Sequence, residues 1–538
     1  MRRASLLMKN FGSDFPASIV VFLVALPLCL GVALASNAPL FSGIIAGVVG
    51  GIVVGALSGS HLSVSGPAAG LTAIVGAAVL KLPSFETFLL CVFICGALQL
   101  LLGFIKAGVI GDYVPNSVIK GMLAAIGLIL ILNQFPHLLG DDSHFESDER
   151  VEQLPRGNIF SNFVNAFSHI TPIALLIGAV CLTFHFIWEK LVAKKEGFIK
   201  FIPAPLLVVF IGVGINYMFR DSGGLGGEHL VVIPKASSTS EFISFFTLPD
   251  FNALGNKQVW ITGLTLAIVA SLETLLSIEA VDDLDPFQRV TNKDRELKAQ
   301  GIGNLLSGLI GGLPVTSVIV RSSANVNSGA KSKMSTIMHG SLLLLCVALI
   351  PGLLNLIPKA ALAAVLIFTG YKLAKPALFI SFYKKGWDQF LPFLITILAI
   401  LATDLLIGVV IGIGVGLLFV VFSNFKTSVF IVHDDNRYLF RLRKDVSFLN
   451  KPIIKNKLEQ VPENAQVLID TSRADFIDKD IVEVIEDFMI HAPLKNIQVD
   501  IKFSPNKSHG FNQLVLERNN AQADVIRKHD KSVAQVQP

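Results

Sequence analysis

The sequence predicts an all-α polytopic membrane domain of about fourteen spans, built as two halves of seven, followed by a small α/β domain. Three observations lead there. Of 538 residues, 52% are hydrophobic and only 16% charged, with a mean hydropathy of +0.64, and charge this sparse does not coat a soluble surface of that size. Apolar runs of span length recur between residues 17 and 425, whereas the chain from about 428 onward has ordinary soluble composition. Two of the runs are interrupted by a proline at corresponding places in the two halves, Pro67 and Pro314.

The opening MRRASLLMKNFGSDF is basic, then polar, and lacks a small-residue cleavage pattern. Residues 1–16 therefore read as a cytoplasmic N-terminus and 17–35 as a retained first span. Six more spans follow near 40–58, 63–81, 86–106, 115–133, 171–189 and 204–219, completing a first repeat of about 17–219. The second repeat, about 258–425, has spans near 258–280, 298–312, 315–327, 337–355, 360–373, 389–405 and 407–425. The third and tenth are short or interrupted. With the N-terminus inside, Lys106, Lys120, Lys190, Arg289, Lys293, Arg295, Lys331 and Lys333 fall in inner loops, while the outer loop 134–157 is acidic. This is the positive-inside pattern of a multi-pass plasma (cytoplasmic) membrane protein with both termini cytoplasmic.

Beyond 428, VFIVHDD, YLFRLRK, AQVLIDTS and NIQVDIKF alternate as strands do, and IVEVIEDFMIHA has a helical apolar face. A cytoplasmic α/β domain is expected over 428–505 and a disordered tail over 506–538. Cys29, Cys91, Cys95, Cys181 and Cys346 all lie in apolar runs and read as small buried hydrophobes without a disulfide framework or metal-ligand spacing. The net charge of +4 is too small to suggest nucleic acid as a partner. No nucleophile–base pair, phosphate loop or metal cluster stands in the soluble parts, so the chain does not read as an enzyme and needs no cofactor.

In each half a short strand-like approach meets a proline, and small residues then open a helix: SVSGPAAGLTAIVG at 63–76 and GLPVTSVIVRSSAN at 312–325. Paired interruptions in corresponding spans indicate an inverted repeat with a binding site between two half-helices. Half-helix N-termini at 67–72 and 315–320 would aim unsatisfied N–H groups and positive dipole ends at one point, a site for an anion. One wall would be Ser65, Gly66, Ala68 and Ala69, and the other Thr316, Ser317, Val318 and Ile319. Tight helix packing also favours such small residues. Arg321, about two turns into the tenth span, would add fixed positive charge, or instead pair with an acid or snorkel. Glu273 lies deep in the eighth span with Ser277 one turn on. A carboxyl there costs about 2.5–3.5 kcal/mol on insertion scales, so it reads as an ion-coupling group, with a structural pair to Arg321 or a lysine as the alternative. In the first span Leu26, Pro27, Leu28 and Val32 form an apolar wall.

These blocks resemble the SulP (sulfate permease-type) inorganic anion transporters over about residues 10–505. The resemblance rests on VALPLCLGVALAS, SVSGPAAG, SLETLLSIEAVD with NKDRELKAQGIGN, and GGLPVTSVIVRSSANVNSGAKS. VLIDTSRADFID resembles the core of the STAS domain that this family carries. The resemblance implies a core domain and a gate domain, an elevator-like motion, a homodimer, and bicarbonate or sulfate as substrate. Similarity to the branch associated with carbonic anhydrases favours bicarbonate and a functional link to such an enzyme. Where sodium-coupled relatives have aspartate and threonine, this chain has Glu273 and Ser277. Na+ held by Glu273, Ser277 and Ser317 therefore stays open beside H+, with the longer carboxyl favouring H+. Val320 replaces the family's serine beside Arg321, and Lys479 follows Asp478 where the STAS domain has a phosphorylatable serine. Chloride exchange or a channel-like mode on the same scaffold, and a nucleobase–proton symporter, are the alternatives.

Overall fold

The computed structural model describes residues 10–142, 163–192 except 165 and 169, 202–220, and 224–502 except 237, 404 and 428. The expected disordered tail 506–538 and most of the acidic loop lie outside the described residues. The chain divides into two units, Met1–Ile413 and Gly414–Pro538. The division falls inside the last helix of the membrane part, upstream of the composition change at 428.

Each expected span has a helix. In the first half these are α1 (Phe11–Ala35), α2 (Leu40–Leu57), α3 (Thr72–Lys81), α4 (Phe85–Phe104), α5 (Asn116–Leu139), α6 (Pro172–Val192) and α7 (Ala204–Met218). In the second they are α8 (Lys257–Leu284), α9 (Lys293–Leu309), α10 (Ile319–Asn327), α11 (Met334–Leu349), α12 (Lys359–Leu373), α13 (Trp387–Ala402) and α14 (Leu405–Thr427). Two short strands, β1 (Ser65–Pro67) and β2 (Val315–Ser317), stand before α3 and α10 at equivalent places in the two halves. Local chemistry sets several helix starts. Ser84 caps α4 through the Thr87 N–H at 3.3 Å, and Asn256 caps α8 through Gln258 at 2.9 Å. Helix α9 begins five residues before the expected span, because Asn292 caps it through Arg295 N at 2.8 Å. Its first five residues, KDREL, are too polar for a hydropathy reading to include them.

The helices of the first unit sort into two bundles. In one, α4 packs on α8 and α9 while α1 packs on α2 and α11. In the other, α5 packs on α12 and α13, and α6 on α7 and α12; α14 approaches Thr396 and Val118 through Gly412. The expected core and gate domains correspond to these two bundles. Contact between α4 and α9 is backbone to backbone: a Cβ on Gly96, Gly301 or Gly308 would strike main-chain atoms of the facing helix. Small residues allow this approach, and dispersion then accumulates over the whole contact.

The second unit contains a mixed four-stranded sheet, β3 (Val429–Asp434), β4 (Arg437–Val446), β5 (Gln466–Ile477) and β6 (Gln498–Lys502), in that spatial order. Strands β3 and β4 are antiparallel, and β4–β5 and β5–β6 are parallel. Helices α15 (Lys451–Glu459) and α16 (Lys479–His491) bury Ile454, Leu458, Ile481 and Ile485 in a core with Phe440, Val467 and Ile469. The four strands and α16 match the sequence expectation; α15, with only Ile454 and Leu458 buried, gave too weak a periodic signal.

Candidate functional site

The two interrupted spans meet in a two-stranded ladder. β1 and β2 pair antiparallel with Ser65 opposite Ser317, Gly66 opposite Thr316 and Pro67 opposite Val315. Val318 N donates to Val64 O at 3.0 Å, and the Ser63 and Ser317 hydroxyls lie 2.5 Å apart. From this crossing the chain turns into a 3₁₀ turn (Ala69–Leu71) that opens α3, and into α10. Neither N-cap residue, Ala68 or Val318, caps its helix with a side chain, so the first N–H groups turn to partners from other elements, as Gly70 N does to Glu273.

In front of them is a cavity of about 60 Å³, several times the roughly 10–15 Å³ that admits one water. One bundle contributes Leu28 and Val32 from α1, Pro67, Ala69 and Gly70 from the first interruption, Glu273, Leu276 and Ser277 from α8, and Val318 to Arg321. The other bundle closes it with Leu123 and Ile126 from α5 and Thr369 and Leu373 from α12. The site thus lies at the interface between the bundles, where relative motion would open one side or the other.

Two charged side chains define its chemistry. Arg321 is completely buried and donates from Nη2 to Pro67 O at 3.3 Å, while Nε and Nη1 have no hydrogen-bond partner among the described residues. Glu273 receives the Gly70 N–H on its carboxylate, while Oε2 has no hydrogen-bond partner among the described residues. No ion pair joins Glu273 to Arg321 or a lysine among the described residues, so the structural-pair alternative does not describe this geometry. Buried donors and acceptors left unmatched are costly and mark places where a ligand completes the set. His339 on α11 is fully buried, and neither ring nitrogen has a hydrogen-bond partner among the described residues.

Of the residues expected to form the walls, Ala69, Val318, Ile319 and Arg321 line the cavity, as do Glu273 and Ser277. Ser65, Gly66, Ala68, Thr316 and Ser317 stand behind it. Ser65, Gly66, Thr316 and Ser317 are in the ladder, and Ala68 is buried at the head of the 3₁₀ turn. Ser317 is held by Ser63 and by its N–H to Thr274 Oγ1 at 3.3 Å, so the set Glu273, Ser277 and Ser317 is not gathered around one point of the cavity. Gly66 makes room for a side chain: a Cβ there would overlap Arg321 Nη1. Gly70 does the same for Glu273, whose Oε1 would lie 2.5 Å from an added Cβ. Of the apolar wall expected of the first span, Leu28 and Val32 line the cavity, whereas Leu26 and Pro27 do not. Sequence reasoning missed Glu296, Gln300 and Asn304 on α9, all fully buried behind the ladder; their i, i+4, i+8 spacing in a span was the available signal.

The chain is similar to known proteins in both sequence and fold. The profile of the Sulfate permease family matches residues 11–396. A putative sulfate transporter of Bacillus subtilis, YvdB, is 26% identical over 80% of this chain and 77% of its own length. Among solved structures, the transmembrane domain of a cyanobacterial bicarbonate transporter, BicA, superposes with a TM-score of 0.61 at 20% identity, covering 76% of this chain and 97% of that one. Murine Slc26a9, an anion transporter, gives 0.70 at 16% identity over 91% of this chain and 85% of its own. The fold is therefore that of these transporters, and the chain is a multi-pass integral membrane protein that belongs to the sulfate permease family of anion transporters, not to the enzymes.

Proposed function

We propose that the protein is a secondary active transporter of a small inorganic oxyanion, bicarbonate before sulfate, coupled to H+ through Glu273. The observation that carries this is one small cavity that holds a guanidinium with Nε and Nη1 unpartnered and a carboxylate with Oε2 unpartnered among the described residues, at two helix starts whose N-cap residues give no side-chain cap. Arg321 and the α10 N-terminus attract the anion, and Glu273 supplies a site that is neutral once protonated. The apolar wall of Leu28, Val32, Leu123 and Ile126 suits a small, compact ion. A nucleobase would need more base-reading polar groups than this lining has. Na+ remains the second coupling ion to test, although Ser317 is committed to Ser63. The cavity's position between two bundles supports an elevator-like movement of one bundle past the other.

The second unit is proposed to be a STAS-like docking and dimerisation module of a homodimer. Asp478 there caps α16 through Asp480 N at 3.1 Å, a structural role that needs no phosphorylatable serine. A bicarbonate substrate would link the protein functionally to a carbonic anhydrase, which interconverts it with CO2.

The test is labelled bicarbonate and sulfate uptake into proteoliposomes, measured over protein-free vesicles, under an inward H+ gradient, an inward Na+ gradient or neither. Concentrative bicarbonate uptake driven by H+ is expected. Sulfate uptake with bicarbonate inert reassigns the substrate, and gradient-independent exchange with chloride replaces symport by exchange. Glu273→Gln is expected to abolish gradient-driven accumulation while anion binding and folding persist. A variant that concentrates anion as well as wild type removes Glu273 from the coupling role.

A further inference from the structure

Helix α9 carries a line of buried polar side chains whose partners are the two interrupted spans. At its inner end, Glu296 Oε2 accepts from Ser58 Oγ (2.5 Å) and Gly59 N (2.8 Å), fixing the loop that enters β1. One turn on, Gln300 Nε2 donates to Ser65 Oγ in β1 at 2.7 Å and to Glu296 Oε1 at 3.1 Å. A further turn on, Asn304 reads the backbone of β2 in both directions: Val315 N donates to Oδ1 at 2.6 Å and Nδ2 donates to Val315 O at 2.9 Å. Asn304 Nδ2 also reaches Gln99 Oε1 at 2.6 Å, and Gln99 Nε2 reaches Ser271 of α8 at 3.3 Å, two residues before Glu273. Ser307 Oγ donates to Leu313 O at 2.7 Å. The loop before β1, β1, β2 and α8 are thus all tied to one helix.

That helix is itself held rigidly. Gly301 and Gly308 bring α9 against the α4 backbone so closely that an added Cβ would meet main-chain nitrogen at 2.6 Å in each case. None of Glu296, Gln300 and Asn304 lines the cavity, so none is a contact residue. Ordinary core packing does not require them, because an apolar edge would bury the same surface at lower desolvation cost.

We infer that the buried polar edge of α9, formed by Glu296, Gln300 and Asn304, is the positioning element of the anion site. It fixes where the two half-helix N-termini stand relative to each other, and through that spacing the affinity and size preference for the anion. The inference rests on the anion-transport reading above. Backbone donors recognise an anion only where they converge, and a small displacement of one half-helix loses binding without touching the reacting groups.

The experiment measures concentration-dependent uptake of labelled bicarbonate and sulfate by wild type, Gln300→Ala, Asn304→Ala, Ser65→Ala and the Ser65→Ala/Gln300→Ala double variant. Each is first shown monodisperse by gel filtration. Gln300→Ala and Asn304→Ala are expected to raise KM at least about tenfold with kcat within about twofold, and to shift the sulfate-to-bicarbonate KM ratio. A merely structural loss would instead lower the active fraction and leave KM alone. The double variant is expected to raise KM no more than Gln300→Ala does, since Gln300 acts through Ser65. Should Asn304→Ala fail to fold, the Ser65–Gln300 cycle decides alone, because Ser65→Ala deletes one hydroxyl. A transporting wild type whose variants keep its KM, or additive effects in the cycle, overturns the inference. A wild type inert toward both anions defeats the transport reading instead.

Discussion

At the scale of single residues, Gly66 and Gly70 determine where the site keeps its charges. They stand four apart in the first interruption, and each leaves space for a charged side chain from the second half of the chain, Arg321 and Glu273 respectively. The two Ala substitutions should therefore separate two functions. Gly66→Ala drives its methyl into the guanidinium, and because Gly66 is fixed in the β1–β2 ladder, Arg321 must move. The expected result is a rise in anion KM of at least about tenfold. Gly70→Ala displaces the Glu273 carboxylate instead, so gradient-driven accumulation should fall while downhill exchange survives. Parallel uptake and counterflow assays on the two variants check this, and identical defects would contradict it. The sequence reading correctly placed small residues here but gave their space to the ion. The actual neighbours come from the opposite half of the chain, and nothing in the local spacing of SVSGPAAG encodes which side chain will arrive.

At the scale of elements, the spans were legible because apolar length is a strong signal, and the paired prolines marked the interruptions. The pairing of β1 with β2 was not legible: a three-residue strand-like approach does not encode its partner, and the α9 side chains that hold both strands, Gln300 on Ser65 and Asn304 on Val315, stand outside the two interrupted segments. Another element-level feature lies past the end of α5. The helix stops at Gly140 (φ +84°), and Asp142, buried just beyond, accepts from His137 Nδ1 at 2.6 Å and His229 Nδ1 at 2.7 Å. The next residue, Leu230, bridges to Pro358, and Val231 N donates to Ile357 O at 2.9 Å, at the start of α12. One carboxylate therefore ties the ends of two helices in the same bundle. Burial works against ionisation of Asp142, but the His137 and His229 hydrogen bonds outweigh it and hold the carboxyl at about 2. His229 is raised above its ordinary 6.5, first by its bond to Asp142 against the effect of burial, with Glu228 adding to and Lys359 opposing the shift. The stability from His229 is complete below pH 6.5 and is lost as pH rises through its elevated value. That from Asp142 is present above the ordinary carboxyl value of 3.8 and is lost as pH falls toward 2. Melting temperature in detergent should therefore decline as pH rises above 6.5 in wild type and be flatter in His229→Gln. Equal slopes would remove His229 from this role.

For the whole molecule, the cavity's charge inventory constrains how transport responds to membrane potential. Among the cavity-lining residues Glu273 is the one acid and Arg321 the one base. In the proposed cycle, with Glu273 ionised and no substrate, their charges cancel, so an empty carrier would cross the field as a neutral body. Loading one proton on Glu273 and one bicarbonate beside Arg321 again sums to zero. Both halves of a bicarbonate cycle are then insensitive to voltage, and replacing the proton by Na+ leaves that sum unchanged. Sulfate breaks the balance: the loaded carrier has one net negative charge, and a potential negative inside opposes its entry by about 2.3 kcal/mol per 100 mV. Uptake into proteoliposomes clamped with K+ and valinomycin checks this. Bicarbonate uptake should be the same at zero and at about 100 mV negative inside, while sulfate uptake should fall. Potential-dependent bicarbonate uptake would mean that a second charge moves with the carrier, and that Glu273 and Arg321 are not the complete set. Hydropathy could place the chain in a membrane. The two-charge sum depends on which side chains face one cavity, and only the packing of α8 and α10 against the first interruption determines that.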